Sequence, residues 1–167
     1  MAEKDLISKE KVEYSGIFSF SGLYAFAHSW LKNEEDYTVG EDKYSEKVSG
    51  NSRDISIEWS ASKKMGDYFK AEIKIEFKVT DLTDVEVETD GQKKRVNKGK
   101  VSVDLKGALI KDYSSKWEDK PINKFLREVY NKYVIPQRVD NMEGKVAGDV
   151  NNLKEEIKSY LEMTGKK

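Results

Sequence analysis

Between Phe69 and Val79 the apolar residues fall on every second position: Phe69, Ala71, Ile73, Ile75, Phe77 and Val79. Lys70, Glu72, Lys74, Glu76 and Lys78 stand between them. Successive side chains of a strand point to opposite faces, so this stretch predicts a strand with one dry face and one charged face. A one-residue slip in its pairing would bury those charges, which fixes its register strongly.

The same period recurs on either side. In Arg53–Ala61, Ile55, Ile57, Trp59 and Ala61 face inward, and Asp54, Ser56, Glu58 and Ser60 face outward. Lys11–Ser19 predicts a first strand with Val12, Tyr14 and Phe18 on one face and a bulge at Gly16. Lys43–Val48 alternates more weakly through Tyr44, Glu46 and Val48, and Gly50-Asn51 supplies a turn after it. A second turn runs through Gly66 into the Phe69 strand. Val85–Thr89 and Gln92–Val96 flank Asp90-Gly91, a two-residue hairpin signal. Val101, Val103 and Leu105, with Leu109 beyond, mark a last long strand.

Elsewhere the period changes to about 3.6. Ser21 is placed to cap a helix running to Lys32, with Leu23, Phe26, Ala27, Trp30 and Leu31 as its apolar stripe. From Pro121, the residues Ile122, Phe125, Leu126, Val129, Tyr130 and Tyr133 predict a short helix, which Pro136 breaks or kinks. A longer helix then runs to about Met163, its stripe being Val139, Met142, Val146, Val150, Leu153, Ile157 and Tyr160 or Leu161. Residues 1–10 are polar apart from Leu6 and Ile7 and are expected to be loosely ordered. No repeat or linker divides residues 1–167, so a single domain is expected.

These elements predict an α+β fold: a curved antiparallel sheet with one charged solvent face, and helices, including a long C-terminal one, packed on the other. The order of strand, helix, antiparallel meander and long final helix resembles the helix-grip superfamily, the START and Bet v1-like domains. That resemblance implies a sheet closed on the last helix and an apolar ligand held between the two. Some members of the superfamily are cyclases, and one branch activates a chaperone. The glycine-rich loop of the plant members has no counterpart in Gly50-Asn51-Ser52, so no site residue carries over.

Composition narrows the function classes. Hydrophobic and charged residues each make up 37% of the chain, which fits a soluble domain with a densely charged surface. The formal net charge of −1 gives no chain-wide pull toward nucleic acid or anionic membrane. With no cysteine, disulfides and thiolate chemistry are excluded. No apolar run reaches the length of a signal peptide or a membrane span, and the expected location is cytoplasmic.

Candidate chemistry is sparse. The one histidine, His28, falls near Tyr24 and Lys32 on the first helix and reads as structural. Asp81, Asp84, Glu86, Glu88 and Asp90 form an acidic series without the spacing of a calcium loop. A two-residue turn at Asp90-Gly91 sets Glu88 opposite Lys93 and Glu86 opposite Arg95, which accounts for both charge runs. Lys93, Lys94, Arg95, Lys98 and Lys100 form a basic cluster with no interleaved aromatic, which argues against nucleic acid. There is no catalytic set, and neither a metal nor a cofactor is expected.

Two binding readings follow. Phe26, Trp30, Trp59, Phe77, Val146 and Val150 are the candidate lining of a site for an apolar or amphipathic small molecule between the sheet and the last helix. A filled core uses the same residue types. Gly144 and Gly148 lie opposite the stripe of the last helix and each costs about 1 kcal/mol relative to alanine. They predict either a kinked helix or the close approach of a partner chain or second copy, which makes a protein-interaction or dimerisation module the alternative.

Overall fold

In a computed structural model, residues 3–66, 69–111 and 135–165 are described. Strand β1 (Glu3–Phe18) leads into helix α1 (Phe20–Ser29) and a π-helical turn, Trp30–Glu34. Strands β2 (Thr38–Ser49), β3 (Ser52–Lys64), β4 (Phe69–Thr89) and β5 (Gln92–Lys111) follow, and helix α2 spans Ile135–Gly165. The strands form one open antiparallel sheet in the order β1-β5-β4-β3-β2, so β2 and β1 are its edges. The architecture is α+β. The segment of the expected Pro121 helix lies outside the described residues.

The alternation read at Phe69–Val79 sets the core. Phe69, Ala71, Ile73, Ile75, Phe77 and Val79 are all at most 2% exposed. They stand beside Ile55, Ile57, Trp59 and Ala61 of β3 and Val101, Val103, Leu105 and Leu109 of β5. Helix α2 closes this face with Val146, Val150, Leu153, Ile157 and Leu161, and α1 with Leu23 and Ala27. The opposite face carries Lys74, Glu76 and Lys78 to solvent.

Three boundaries differ from the sequence expectation. Residues 3–10 are not loose: β1 begins at Glu3 and pairs with β5 from Glu3↔Lys111 onward. Lys111–Asp5 and Lys4–Glu72 ion pairs add to the backbone ladder there, so a polar start is held by hydrogen bonds and charge rather than burial. The bulge of β1 lies between Leu6 and Ser8, whereas the register runs unbroken through Gly16↔Gly99. Helix α1 is capped by Ser19, not Ser21: Gly22 N donates to Ser19 Oγ at 3.1 Å, because Ser19 keeps an extended backbone and Ser21 is already helical.

The long β4–β5 ribbon changes sides along its length. Between Thr80 and Thr83 the register shifts, with Asp81 in the left-handed region at φ 54°. Val79 and Leu82 are both buried, so the parity of β4 flips across the bulge. Beyond it Val85 and Val87 fall on the charged face, and Val85 pairs with Val96. Asp84, Glu86 and Glu88 take the other face.

Candidate functional site

The six residues expected to line a binding site occupy four places. Trp59 and Phe77 meet edge to face, with ring centroids 4.8 Å apart. Tyr24 and His28 of α1 close on the same indole at 4.9 and 5.6 Å, so His28 is an aromatic packing partner. The Trp59 Nε1 and Tyr24 hydroxyl groups both donate to Glu41 Oε1, at 3.4 and 2.8 Å. Phe26 is half-buried where α1 crosses α2 and stacks on Tyr160 at 4.8 Å. Trp30 opens the π-helical turn and packs against the core.

Val146 and Val150, both fully buried, seat on Gly107 of β5. A Cβ built at Gly107 would lie 2.5 Å from Val150 Cγ2 and 3.0 Å from Val146 Cγ1. One at Gly22 would run into the Tyr160 hydroxyl. Both of these close approaches belong to α2, one to the sheet and one to α1. Gly144 and Gly148 have nothing within 4 Å of an added Cβ, and α2 runs through both without interruption. The helix is neither broken nor restarted there.

A cleft of about 180 Å³ opens at the seam between β1 and α2. Val12, Tyr14 and Leu161 contribute its apolar part, and Lys11, Glu13, Lys154, Lys158 and Glu162 form its charged rim, with Lys11 paired to Glu13 at 3.1 Å. Lys154 pairs with Glu10 of β1 at 3.3 Å, a charged link that spans the seam.

Two members of the acidic series, Asp81 and Asp84, have local partners. Asp81 forms the bulge, its N–H donating to Asp54 Oδ1 at 3.0 Å, and Asp84 Oδ1 accepts from Asn97 Nδ2 at 2.8 Å and from Arg53 at 3.3 Å. The hairpin register sets Glu88 opposite Lys93 and Glu86 opposite Arg95, as the two-residue turn requires. Alternation divides the basic cluster between the two sides of the ribbon, Lys93 and Arg95 against Lys94, Lys98 and Lys100. Among the described residues, no group of three or more histidines and carboxylates is placed to hold a metal ion. No helix among them is long and apolar enough to cross a membrane.

One constellation escaped the sequence reading. Asp149 of α2 is only 5% exposed, and the Tyr37 hydroxyl donates to its Oδ2 at 2.8 Å. Burial, with the Asp149 and Glu35 carboxylates nearby, pushes the Tyr37 hydroxyl far above the usual tyrosine range. Tyr37 is therefore a fixed hydrogen-bond donor. Glu35 sits beside the pair and is raised by burial and by the charge of Asp149, with Lys63 and Lys145 pulling the other way. Lys63 Nζ donates to the Glu35 carbonyl at 2.9 Å and stands 5.1 Å from the Tyr37 ring centroid. Spacing held a signal: Asp149 lies three residues after Val146 and four before Leu153, within the apolar stripe.

No protein-family model matches the chain, and no curated protein or solved structure matches it.

Proposed function

We propose that the chain is a cytoplasmic, non-catalytic binding domain of helix-grip type that takes an apolar or amphipathic small molecule between α2 and the sheet. The observation that carries this reading is the seam cleft, where Val12, Tyr14 and Leu161 meet a charged rim of Lys11, Glu13, Lys154, Lys158 and Glu162. Apolar surface beside charged groups of both signs suits a molecule with an apolar body and a polar head. At about 180 Å³ the cleft is smaller than the roughly 300 Å³ at which ordinary ligand pockets begin. On this reading a full-sized ligand requires α2 to shift outward from β1.

Titration with 1-anilinonaphthalene-8-sulfonate tests this reading. Saturable binding to the folded chain, weakened by Lys158→Glu, supports it. Non-saturable binding, or binding indifferent to Lys158→Glu, counts against it. Native mass spectrometry of protein purified from its own cells would then report the natural occupant.

A second reading, a module that docks a partner helix or a second copy, is favoured by the open space in front of Gly144 and Gly148. Sedimentation of a strict monomer, with Gly144→Leu behaving as the parent, removes self-association through this face.

A further inference from the structure

Alternation sorts the charges of the β4–β5 ribbon by side, and one side is basic throughout. Asn97 of β5 takes the core side, where its Oδ1 accepts from Phe20 N of α1 at 2.9 Å. Val101 and Val103 are buried on that same side. Lys94, Val96, Lys98 and Lys100 therefore stand on the outer side. Past the bulge of β4, the register sets Thr83 beside Lys98, Val85 beside Val96 and Val87 beside Lys94. The carboxylates Asp84, Glu86 and Glu88 go to the core side, with Lys93 and Arg95.

The outer side of the ribbon thus holds lysine, valine and threonine, and no acid. Lys94, Lys98 and Lys100 are exposed, and among the described residues none of them has a carboxylate partner. Val85, Val87 and Val96 are half-exposed. Toward the base, this strip runs into a depression of about 640 Å³ on the outer face of β1, β5 and β4. Lys11, Lys78 and Lys100 stand at it with the hydroxyls of Ser15, Thr80 and Ser102. Ser15 and Thr80 flank Lys100 in the ladder. Lys11 pairs with Glu13 at 3.1 Å and Lys78 with Glu76 at 3.2 Å, and Glu13 also lines the depression. Two further carboxylates, Asp54 and Asp81, meet at the bulge toward β3.

We propose that this outer strip docks the chain on an anionic phospholipid bilayer, with the valines at the headgroup boundary and the depression taking a headgroup phosphate. The lysines are spread over about 30 Å of strand. Charges act over about 8 Å at physiological salt, so a bilayer against this face meets its lysines and not the balanced total of the chain. Each lysine held near an anionic membrane raises partitioning about fivefold. Nucleic acid fits the strip less well. Arg53 and Arg95, the forked donors, stand on the core side opposite Leu82 and Glu86, and no aromatic on the strip offers a base a face to stack on. An acidic polypeptide would leave the valines in water, whereas a bilayer interface takes apolar and basic groups together.

Co-sedimentation with vesicles of phosphatidylcholine mixed with phosphatidylserine, against phosphatidylcholine alone, tests this surface. Binding should require phosphatidylserine and weaken as salt rises. Lys98→Gln combined with Lys100→Gln should lower the partition coefficient about 25-fold. Lys93→Gln combined with Arg95→Gln removes the same charge from the other side of the ribbon and should leave partitioning nearly unchanged. Tryptophan fluorescence and the urea midpoint verify that both variants are folded. No binding to the mixed vesicles at low salt, or equal losses in the two double variants, overturns the proposal. A single-stranded oligonucleotide or polyglutamate bound as tightly as the vesicles at matched charge overturns the bilayer as occupant in favour of that polyanion. Neither Lys98 nor Lys100 stands at the seam cleft, so failure here is distinct from failure of the ligand reading.

Discussion

The base and the tip of the β4–β5 ribbon are the same two strands, yet they relate to the sheet in opposite ways. In the base, Phe69–Val79 and Val101–Leu109 turn their apolar residues toward α1 and α2, where they are sealed. In the tip, Val85, Val87 and Val96 fall on the outer face and stay half-exposed, while Glu86 and Arg95 take the face that the core continues. The binary pattern does not separate the two halves, since both alternate apolar residues with charges. One register shift at Thr80–Thr83 does. Alternation therefore states that a stretch has two faces, and continuity of register states which face the core receives.

The sharpest way to break this comparison is to truncate one apolar residue in each half. Phe77→Ala in the base removes a fully buried ring that touches Trp59 and should cost about 3–5 kcal/mol. Val96→Ala in the tip should stay under about 1 kcal/mol, because its neighbours include solvent. Urea unfolding monitored by tryptophan fluorescence measures both. Comparable losses would mean that the tip carries core it is not seen to carry.

The bulge itself gives the second test. A Cβ at Gly99 would lie 3.0 Å from the carbonyl oxygens of Thr80 and Asp81 and 3.1 Å from Leu82 Cα, all backbone atoms. Gly99→Ala therefore forces the bulge to move and should cost on the order of 1–3 kcal/mol. Hydrogen exchange should show the loss of protection centred on 80–83 and 97–99 rather than on Ile73–Phe77. Alanine tolerated without cost would show that the bulge is loosely held.

These cases show why the chain was legible in some places and not in others. Ile73, Ile75 and Phe77 were readable because a period of two with charges between leaves one burial solution. The hairpin pairing of Glu86 with Arg95 was readable because Asp90-Gly91 fixes loop length, and loop length fixes register. The Thr80–Thr83 bulge was not, since it depends on Gly99 in the partner strand admitting the extra backbone, a contact with no local signature. The cap moved from Ser21 to Ser19 because either serine satisfies the local rule, and the end of β1 decided between them. For the same reason the glycines of the helix contacts are not legible: Gly22 and Gly107, like Gly99, are demanded by elements distant in sequence, whereas Gly144 and Gly148 are conspicuous only on their own helix. The Tyr37–Asp149 contact joins residues 112 positions apart, and only its helical half was visible, as a carboxylate within an apolar stripe.

The smallest effect belongs to the tip, and it tests whether charge pairing alone holds that half together. Glu86 and Arg95 are opposed in the ladder, but neither they nor Glu88 and Lys93 are among the ion pairs of the described residues. Exposed cross-strand pairs of opposite sign contribute about 0.2–1 kcal/mol, and screening by water draws that toward the lower end. A double-mutant cycle on Glu86→Gln and Arg95→Gln should return a coupling near the bottom of that range, and raising the salt should diminish it further. A coupling well above about 1 kcal/mol would require a desolvated pair, and with it a tip whose charged side is covered rather than bare. Because alternation past the bulge puts Glu86 and Arg95 on the core-side face, such a value would place the covering surface there and not over Val85 and Val96.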